Sequence, residues 1–323
     1  MAFPLSDHCD GKRFFNPGVD IDKGWRELLR WRRSRQPAAW PARVANGGFP
    51  PPPAAVPPGQ IAVTYIGQAT LLLQVDGFHL LTDPIFSERA SPLPWFGPKR
   101  VRPPAVTVEQ LPRIDAILLS HNHYDHMDLA SLRRLRDRWN PPIITGLGNG
   151  RYLAGKGLAH SIELDWWDSW QPRPGLAVLY VPAQHWSRRR FFDRRRMLWG
   201  GHVVAAPAGR VYFAGDTAYA PHFRDISRRL GAPDLALLPI GAYEPRWFMA
   251  GQHIDPDEAV RAHRDLGAGL SIAMHFATFP LTDEAMEAPA HALALARQRH
   301  GVAAESFRVP GFGETITWRR EDE

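Results

Sequence analysis

Four side chains able to hold a metal ion fall within six positions, His121-Asn122-His123-Tyr124-Asp125-His126, directly after the apolar run 116–119. A strand must deliver such a segment to the edge of a sheet and then release it into a turn. In an extended stretch, residues two apart point to the same side, so His121 and His123 can grip one ion. Asp125 and His126 lie in the turn before a helix marked by Leu129, Leu132, Leu135 and Trp139, and can face a second ion close by. A lone histidine is more often structural than a ligand. A cluster of this density after an apolar strand is not explained that way. Imidazole and carboxylate without sulfur suit zinc, and iron or manganese would accept the same set.

Two ions need more than this cluster, because zinc takes about four ligands. The remaining donors are expected just past other strand ends, and three positions meet that condition. His185 follows 181–184, His275 follows 272–274, and Asp216 follows the run Val211-Tyr212-Phe213-Ala214-Gly215. A carboxylate at Asp216 can bridge both ions.

Around this centre the chain reads as two sheets covered by helices. Strands are expected over 61–66, 69–75 and 78–82, with Asp76-Gly77 as the hairpin turn between the last two. Further strands are expected over 116–119, 176–181, 211–214, 235–240 and 271–274. Helices are expected over 22–34, 256–266 and 283–300. Residues 1–60 read as an N-terminal arm and proline-rich linker, because Phe49-Pro50-Pro51-Pro52-Pro53 and Pro57-Pro58 force an extended path. Residues 61–323 then form the catalytic domain. No metal-ligand candidate precedes that domain, so the arm is expected to be dispensable for metal binding.

Composition narrows the class. Apolar residues make up 44% of 323, enough for a large core, and the charged fraction of 22% argues against disorder. One cysteine, Cys9, excludes an intrachain disulfide framework and fits a reducing compartment. The first ten residues carry Asp7, His8 and Asp10 and lack the apolar centre of a secretory leader. The apolar stretch 61–81 is broken by Gln68, Gln74, Asp76, Gly77 and His79, so it cannot span a bilayer. A cytoplasmic protein, at most attached to a membrane surface, is expected. The net charge of +6 and a pI near 9.8 favour anionic partners without choosing among them.

The His-x-His-x-Asp-His segment resembles the signature of the metallo-β-lactamase superfamily. A narrower resemblance spans about residues 60 to 312. Gly97-Pro98-Lys99-Arg100, Glu163-Leu164-Asp165-Trp166-Trp167, Gln184-His185-Trp186, Leu198-Trp199-Gly200, Phe213-Ala214-Gly215-Asp216-Thr217 and Gln252-His253-Ile254-Asp255-Pro256 are similar to the N-acylphosphatidylethanolamine-hydrolysing phospholipase D family. So is the long run Ile240-Gly241-Ala242-Tyr243-Glu244-Pro245-Arg246-Trp247-Phe248-Met249, which is far more specific than the histidine motif.

These resemblances imply a four-layer αβ/βα sandwich with two metals at one sheet edge. His121, His123 and His185 would hold one Zn2+, Asp125, His126 and His275 the other, and Asp216 would bridge them. The implied reaction is attack on the phosphorus of a phospholipid phosphodiester, giving phosphatidic acid and an alcohol carrying an N-acyl amine. Asp125 and Asp216 would then serve catalysis as well as metal binding. His253 lies in a matching motif but is surplus to the ligand set, and is expected to face the substrate, as is Tyr243.

The stretch 186–197 follows His185 directly. Arg188, Arg189 and Arg190 beside Phe191 and Phe192 can bind an anionic headgroup and dip into a bilayer. A solvated basic loop is an equal reading. Nucleic acid is not expected, since no recognised binding motif accompanies these residues. The tryptophans at 166, 167 and 170 are expected to pack rather than bind ligand. Two other functions stay open on the same scaffold: hydrolysis of a lactone, cyclic phosphate or other small ester, or lipid or metal binding without catalysis.

Overall fold

The computed structural model describes residues 3–320, so residues 1, 2 and 321–323 lie outside it. Among the described residues, fourteen strands and seven helices are interspersed. The first half holds α1 (Trp25–Ser34), β1 (Gln60–Gly67), β2 (Thr70–Val75), β3 (Phe78–Thr82), β4 (Ala116–Leu119), α2 (Leu129–Trp139), β5 (Ile143–Gly146), α3 (Asn149–Ala154) and β6 (Ser161–Leu164). The second holds β7 (Ser169–Arg173), β8 (Leu176–Val181), β9 (Gly201–Ala206), β10 (Gly209–Phe213), α4 (His222–Leu230), β11 (Leu235–Pro239), α5 (Arg246–Met249), α6 (Pro256–Leu266), β12 (Leu270–Met274), α7 (Ala288–His300), β13 (Phe307–Arg308) and β14 (Thr315–Arg319).

The strands form two seven-stranded sheets, ordered β14-β1-β2-β3-β4-β5-β6 and β13-β12-β11-β10-β9-β8-β7. Each sheet is antiparallel in one half and parallel in the other, with the change at β3 and at β10. Strand alternation assigns the faces. Ile61, Val63, Tyr65, Leu71, Leu73, Leu80, Ala116 and Leu118 join Val178, Tyr180, Val203 and Val211 in the core between the sheets. Their neighbours Leu72, Leu81, Ile117 and Leu119 instead pack with Leu132, Leu135 and Leu153 under α2 and α3. Helices α4 and α6 deliver Phe223, Ile226, Val260 and Leu266 to the second sheet. This is the expected four-layer αβ/βα sandwich.

Local chemistry sets the element ends. Asp76 and Gly77 adopt φ of 47° and 71°, the left-handed pair of a type I′ hairpin turn. Asp128 caps α2 through the Ala130 amide, and Asn140 ends it in the left-handed conformation. Asp255 and Glu258 form a capping box on α6, with Pro256 in its first turn.

Two helices start later than their periodicity suggests. Asp22 is drawn into ion pairs with Arg194 and Arg195, at 2.9 and 2.6 Å, and α1 begins at Trp25. Asp283 binds Arg35, while Glu284 accepts the amides of Ala242 and Glu244, so α7 begins only at Ala288. In both cases tertiary partners capture residues that would otherwise extend the helix.

The arm lies on the domain. Cys9 and Phe14 are buried in the main core, and His8 stacks on Trp166 at 4.2 Å while bonding Asp165 at 2.8 Å. Residues 35–59 contain no helix or strand. They track the surface through single contacts, Val44 N–H to the Val101 carbonyl and the Gln74 amide to the Pro53 carbonyl among them.

Candidate metal centre

The expected donors arrive from four strand ends at one edge of the sandwich. His121–His126 follow β4, His185 follows β8, Asp216 follows β10, and His275 follows β12. Open α/β sheets place ligands at the carboxyl ends of their strands, where no further residue closes the edge. Two glycines let the backbones meet there. A Cβ on Gly215 would sit 2.6 Å from the Ser120 Cβ, and one on Gly241 would sit 2.3 Å from the His275 carbonyl.

Two four-membered groups of donor atoms result, beside a smaller one of Asp83, His121 and His126. In the first, His121, His123, His185 and Asp216 bring their ligand atoms within 4.8 Å of one another. His123 Nδ1 lies 2.9 Å from His121 Nε2 and 3.2 Å from His185 Nε2, and Asp216 Oδ2 is 3.8 Å from both Nε2 atoms. In the second, Asp125, His126, His275 and Asp216 converge. His126 Nε2 lies 3.0 Å from Asp216 Oδ2 and 3.3 Å from Asp125 Oδ2, and His275 Nε2 lies 3.1 Å from Asp125 Oδ2 and 3.2 Å from Asp216 Oδ1. Asp216 is the member shared by both groups.

The outer nitrogens decide which way the lone pairs face. His185 donates its Nδ1 proton to the Gln252 carbonyl at 2.9 Å, which leaves Nε2 bare toward the cluster. Ser120 Oγ donates to Asp83 at 2.5 Å and can accept from His121 Nδ1 at 2.9 Å, with the same consequence. Asp83 Oδ2 lies 2.6 Å from His126 Nδ1. Imidazoles whose inner nitrogens lie 2.9–3.2 Å apart, two of them buried and His123 half-buried, cannot all pair by hydrogen bonds. Bonds of about 2.05 Å at tetrahedral angles give donor spacings of about 3.3 Å, so the spacing fits shared cations.

Electrostatics agree with the donor chemistry. Burial holds His121 well below its ordinary range and pushes His123 and His185 down to about 3, so all three are neutral at pH 7. Burial is the largest single influence and would raise Asp125 and Asp216, but His126 and His275 together with the remaining contacts outweigh it and keep both well below the usual carboxylate range. His126 is opposed by burial yet driven well above its ordinary value by Asp216, Asp125 and Asp83. The buried carboxylates thus demand positive charge, which a proton or a divalent cation can supply.

His253 is buried against the same centre. Its ring lies 5.2 Å from His185, its Nε2 lies 3.9 Å from Asp216 Oδ2, and its Nδ1 has no partner. Burial lowers it to about 4, so the ring is neutral at pH 7. Tyr243 is also buried, but no hydrogen bond joins it to the cluster among the described residues.

The basic loop divides by role. Arg189 is buried, donating to the Asn122 carbonyl at 2.9 Å and the Tyr152 hydroxyl at 3.1 Å, with its guanidinium 4.1 Å from the Tyr124 ring. It clamps the loop to the histidine motif instead of facing solvent. Arg188 is half-buried, while Arg190 is exposed and so are Phe191 at 83% and Phe192 at 88%. Beside them a cleft of about 460 Å³ runs between loop 87–94 and α2, lined by Arg89, Tyr124, Arg133, Tyr152, Lys156 and Arg189. Trp166 packs as expected, donating its indole proton to the Trp199 carbonyl.

Sequence reasoning passed over four contributors. Asp83 is wholly buried behind His126 and Ser120. Its only signal was a carboxylate directly after β3. Gln68, Gln252 and Asn16 bear on the centre through an amide contact, a carbonyl and the His185 backbone.

Comparison with known proteins decides the lineage. Residues 79–276 match the model of the β-lactamase superfamily domain. The chain belongs to the metallo-β-lactamase superfamily. It is 39% identical over 257 residues to an uncharacterised protein of Mycobacterium tuberculosis, covering 78% of this chain and 68% of the relative. It is 37% identical over 272 residues to the N-acyl-phosphatidylethanolamine-hydrolyzing phospholipase D 1 of Caenorhabditis elegans, covering 80% of this chain and 76% of that one. Within the superfamily it is therefore a member of the family resembling that phospholipase D, and it is a metal-dependent hydrolase. The solved structure of Igni18, a metallo hydrolase of Ignicoccus hospitalis, superposes with a TM-score of 0.62 at 24% identity, covering 81% of this chain and 100% of that one, and shows the same fold.

Proposed function

We propose that the chain is a binuclear phosphodiesterase that cleaves N-acylphosphatidylethanolamine or a close phospholipid, with zinc, or iron or manganese in its place, as the metal. The observation that carries this reading is the pair of buried donor groups sharing Asp216, in a chain related to a phospholipase D over most of its length. His121, His123 and His185 would hold one ion, Asp125, His126 and His275 the other, and Asp216 both. Bound there, the ions would supply hydroxide at neutral pH, by lowering the pKa of water toward about 7, and Lewis acidity toward the phosphoryl oxygens.

The chain's own residues account for the rest. Asp83, Ser120 and the Gln252 carbonyl hold the imidazoles in their tautomers, a constraint that fixes ring orientation. His253 Nε2 faces the centre from the side of Asp216 and serves to position a phosphoryl oxygen. The P–O bond to the N-acylated alcohol breaks, and the phosphoryl group stays with the diacylglycerol as phosphatidic acid. Arg188, Arg190 and the exposed Phe191 and Phe192 provide a surface for an anionic bilayer beside the centre. Among the described residues no helix is long and apolar enough to cross a membrane. Tyr243 is assigned to the substrate wall.

Hydrolysis in ¹⁸O-labelled water with mass spectrometry tests the reading. Attack at phosphorus places the label in phosphatidic acid. Label in no phospholipid product, together with rapid turnover of a soluble lactone or cyclic phosphate, would replace the lipid substrate and leave only the hydrolase.

A further inference from the structure

One polar side chain touches the second donor group and has no place in the ligand set. Gln68 sits in the tight turn between β1 and β2, wholly buried, with φ of 56°. Its backbone is anchored on both sides: its N–H donates to Thr278 Oγ1 at 2.9 Å, and its carbonyl accepts the His275 N–H at 2.7 Å. The left-handed turn and these two bonds fix where the side chain can go. One end of its amide lies 2.8 Å from His275 Nε2 and 3.0 Å from Asp125 Oδ2.

As an NH2 group, that end is poorly matched. It can donate to Asp125, but His275 Nε2 already faces Asp125, His126 and Asp216 at 3.1–3.2 Å. A cation among these donors takes the His275 lone pair and repels the positive end of the amide. Turning the amide by half a turn exchanges nitrogen and oxygen at one position and moves no other heavy atom. The oxygen then joins a set whose spacing it already shares. Five donors at about 2.1 Å, separated by 90–120°, lie about 3.0–3.6 Å apart.

We propose that the Gln68 side-chain oxygen is a further donor to the ion held by Asp125, His126, His275 and Asp216. This rests on the binuclear reading above and makes the two positions unequal. The first offers three imidazoles and one carboxylate. The second offers two imidazoles and three oxygens, a set that favours a harder ion with more ligands, such as manganese or ferrous iron. Gln68 is thus the residue that sets metal choice at the second position.

The test compares the full-length protein with Gln68→Leu and Gln68→Glu, read as metal content after dialysis and as zinc and manganese affinity in competition with a chelator. Near-ultraviolet circular dichroism and unchanged binding of the first ion report folding. In Gln68→Leu the first ion should stay while affinity for the second falls at least tenfold, with manganese losing more than zinc. In Gln68→Glu, where an anionic oxygen replaces a neutral one, the second ion should bind as tightly or more tightly. If Gln68 instead only donates a proton to Asp125, the leucine variant loses zinc and manganese affinity alike and by less than tenfold, which overturns the proposal. Undiminished second-ion affinity in the leucine variant also overturns it. Should the leucine variant not fold, the glutamate variant, which keeps the shape of glutamine, decides by metal choice: an unchanged ratio of manganese to zinc affinity at the second position overturns the proposal. A wild-type protein that holds only one ion would sink the binuclear reading and this inference together, whereas two ions in wild type with no effect of Gln68 removes only the inference.

Discussion

Asp216 and Asp83 show how differently two buried carboxylates can act on one centre. Asp216 lies 3.0 Å from His126 and 3.2 Å from His275 in one group, and 3.8 Å from His121 and His185 in the other. Asp216→Ala is therefore expected to lose both ions and all activity. Metal analysis by plasma emission would show it, and a variant that keeps one ion would move the bridge elsewhere. Asp83 bonds His126 Nδ1 and Ser120 from behind the cluster. Asp83→Asn should keep the fold and weaken metal binding about 10- to 100-fold, the usual effect of releasing a ligating histidine from its partner. Chelator titration measures this, and affinity equal to wild type would show that ring orientation is held by packing alone.

The element that extends the site is the loop over 186–197. Its inner end is pinned, since Arg188 N–H donates to Asn122 Oδ1 and Tyr124 donates its hydroxyl proton to the Arg189 carbonyl. Its tip is not, and it presents Phe191 and Phe192 to solvent. Arginines of one short run consequently answer to different tests. Replacing Arg188, Arg190, Phe191 and Phe192 should reduce cosedimentation with anionic vesicles and leave hydrolysis of a soluble phosphodiester nearly unchanged. Added salt should weaken the charged part, because exposed attraction is screened within about 8 Å at physiological ionic strength. Arg189→Ala should instead destabilise the fold by about 1–3 kcal/mol, through two lost hydrogen bonds and a lost ring contact. Denaturant unfolding separates the two classes, and vesicle binding that ignores the tip residues would send the membrane contact elsewhere.

At the scale of the whole molecule, the arm and the domain are joined close to the centre. Asn16 exchanges two hydrogen bonds with the His185 backbone, and Phe14 is wholly buried. A chain beginning at Gly59 is expected to bind metal with lowered stability, because the site side chains remain while His185 loses its outer support. Equal unfolding midpoints with and without the arm would make it a mere appendage. The anchor also predicts a pH dependence. Burial lowers the His8 imidazole, but the bonds to Asp165 and Asp7 outweigh it and raise its pKa, while His8 helps hold Asp165 below its ordinary value. The raised His8 stabilises the docked arm fully below its unfolded value of about 6.5 and ceases to as pH rises through its folded value. The lowered Asp165 contributes above about 3.9 and ceases to as pH falls through its folded value. Proteolysis within 35–59 should therefore quicken on the alkaline side, and His8→Ala should abolish that step. A rate flat in pH would place the hold of the arm in Phe14 alone.

The sequence by itself marked the histidine segment, the strand ends that carry His185, Asp216 and His275, and two sheets covered by helices, because each is written in local pattern, whereas the four-layer order came from the family resemblance. An apolar run that stops at a ligand-type residue is visible without knowing what lies opposite. Short strands such as β5 and β6, with four residues each, carry too little periodicity to be seen this way and are supplied by pairing, β5 with β4 and β6 with β5. Only the tertiary structure decided which lone pairs face inward, since that depends on Asp83, Ser120 and the Gln252 carbonyl, remote in sequence from the histidines they hold or unremarkable beside them. It likewise decided that Arg189 is a clamp and that the arm reaches His185. Those roles arise from contacts across 67 and 169 positions of chain, and a side chain's chemistry does not announce which neighbour folding will bring to it.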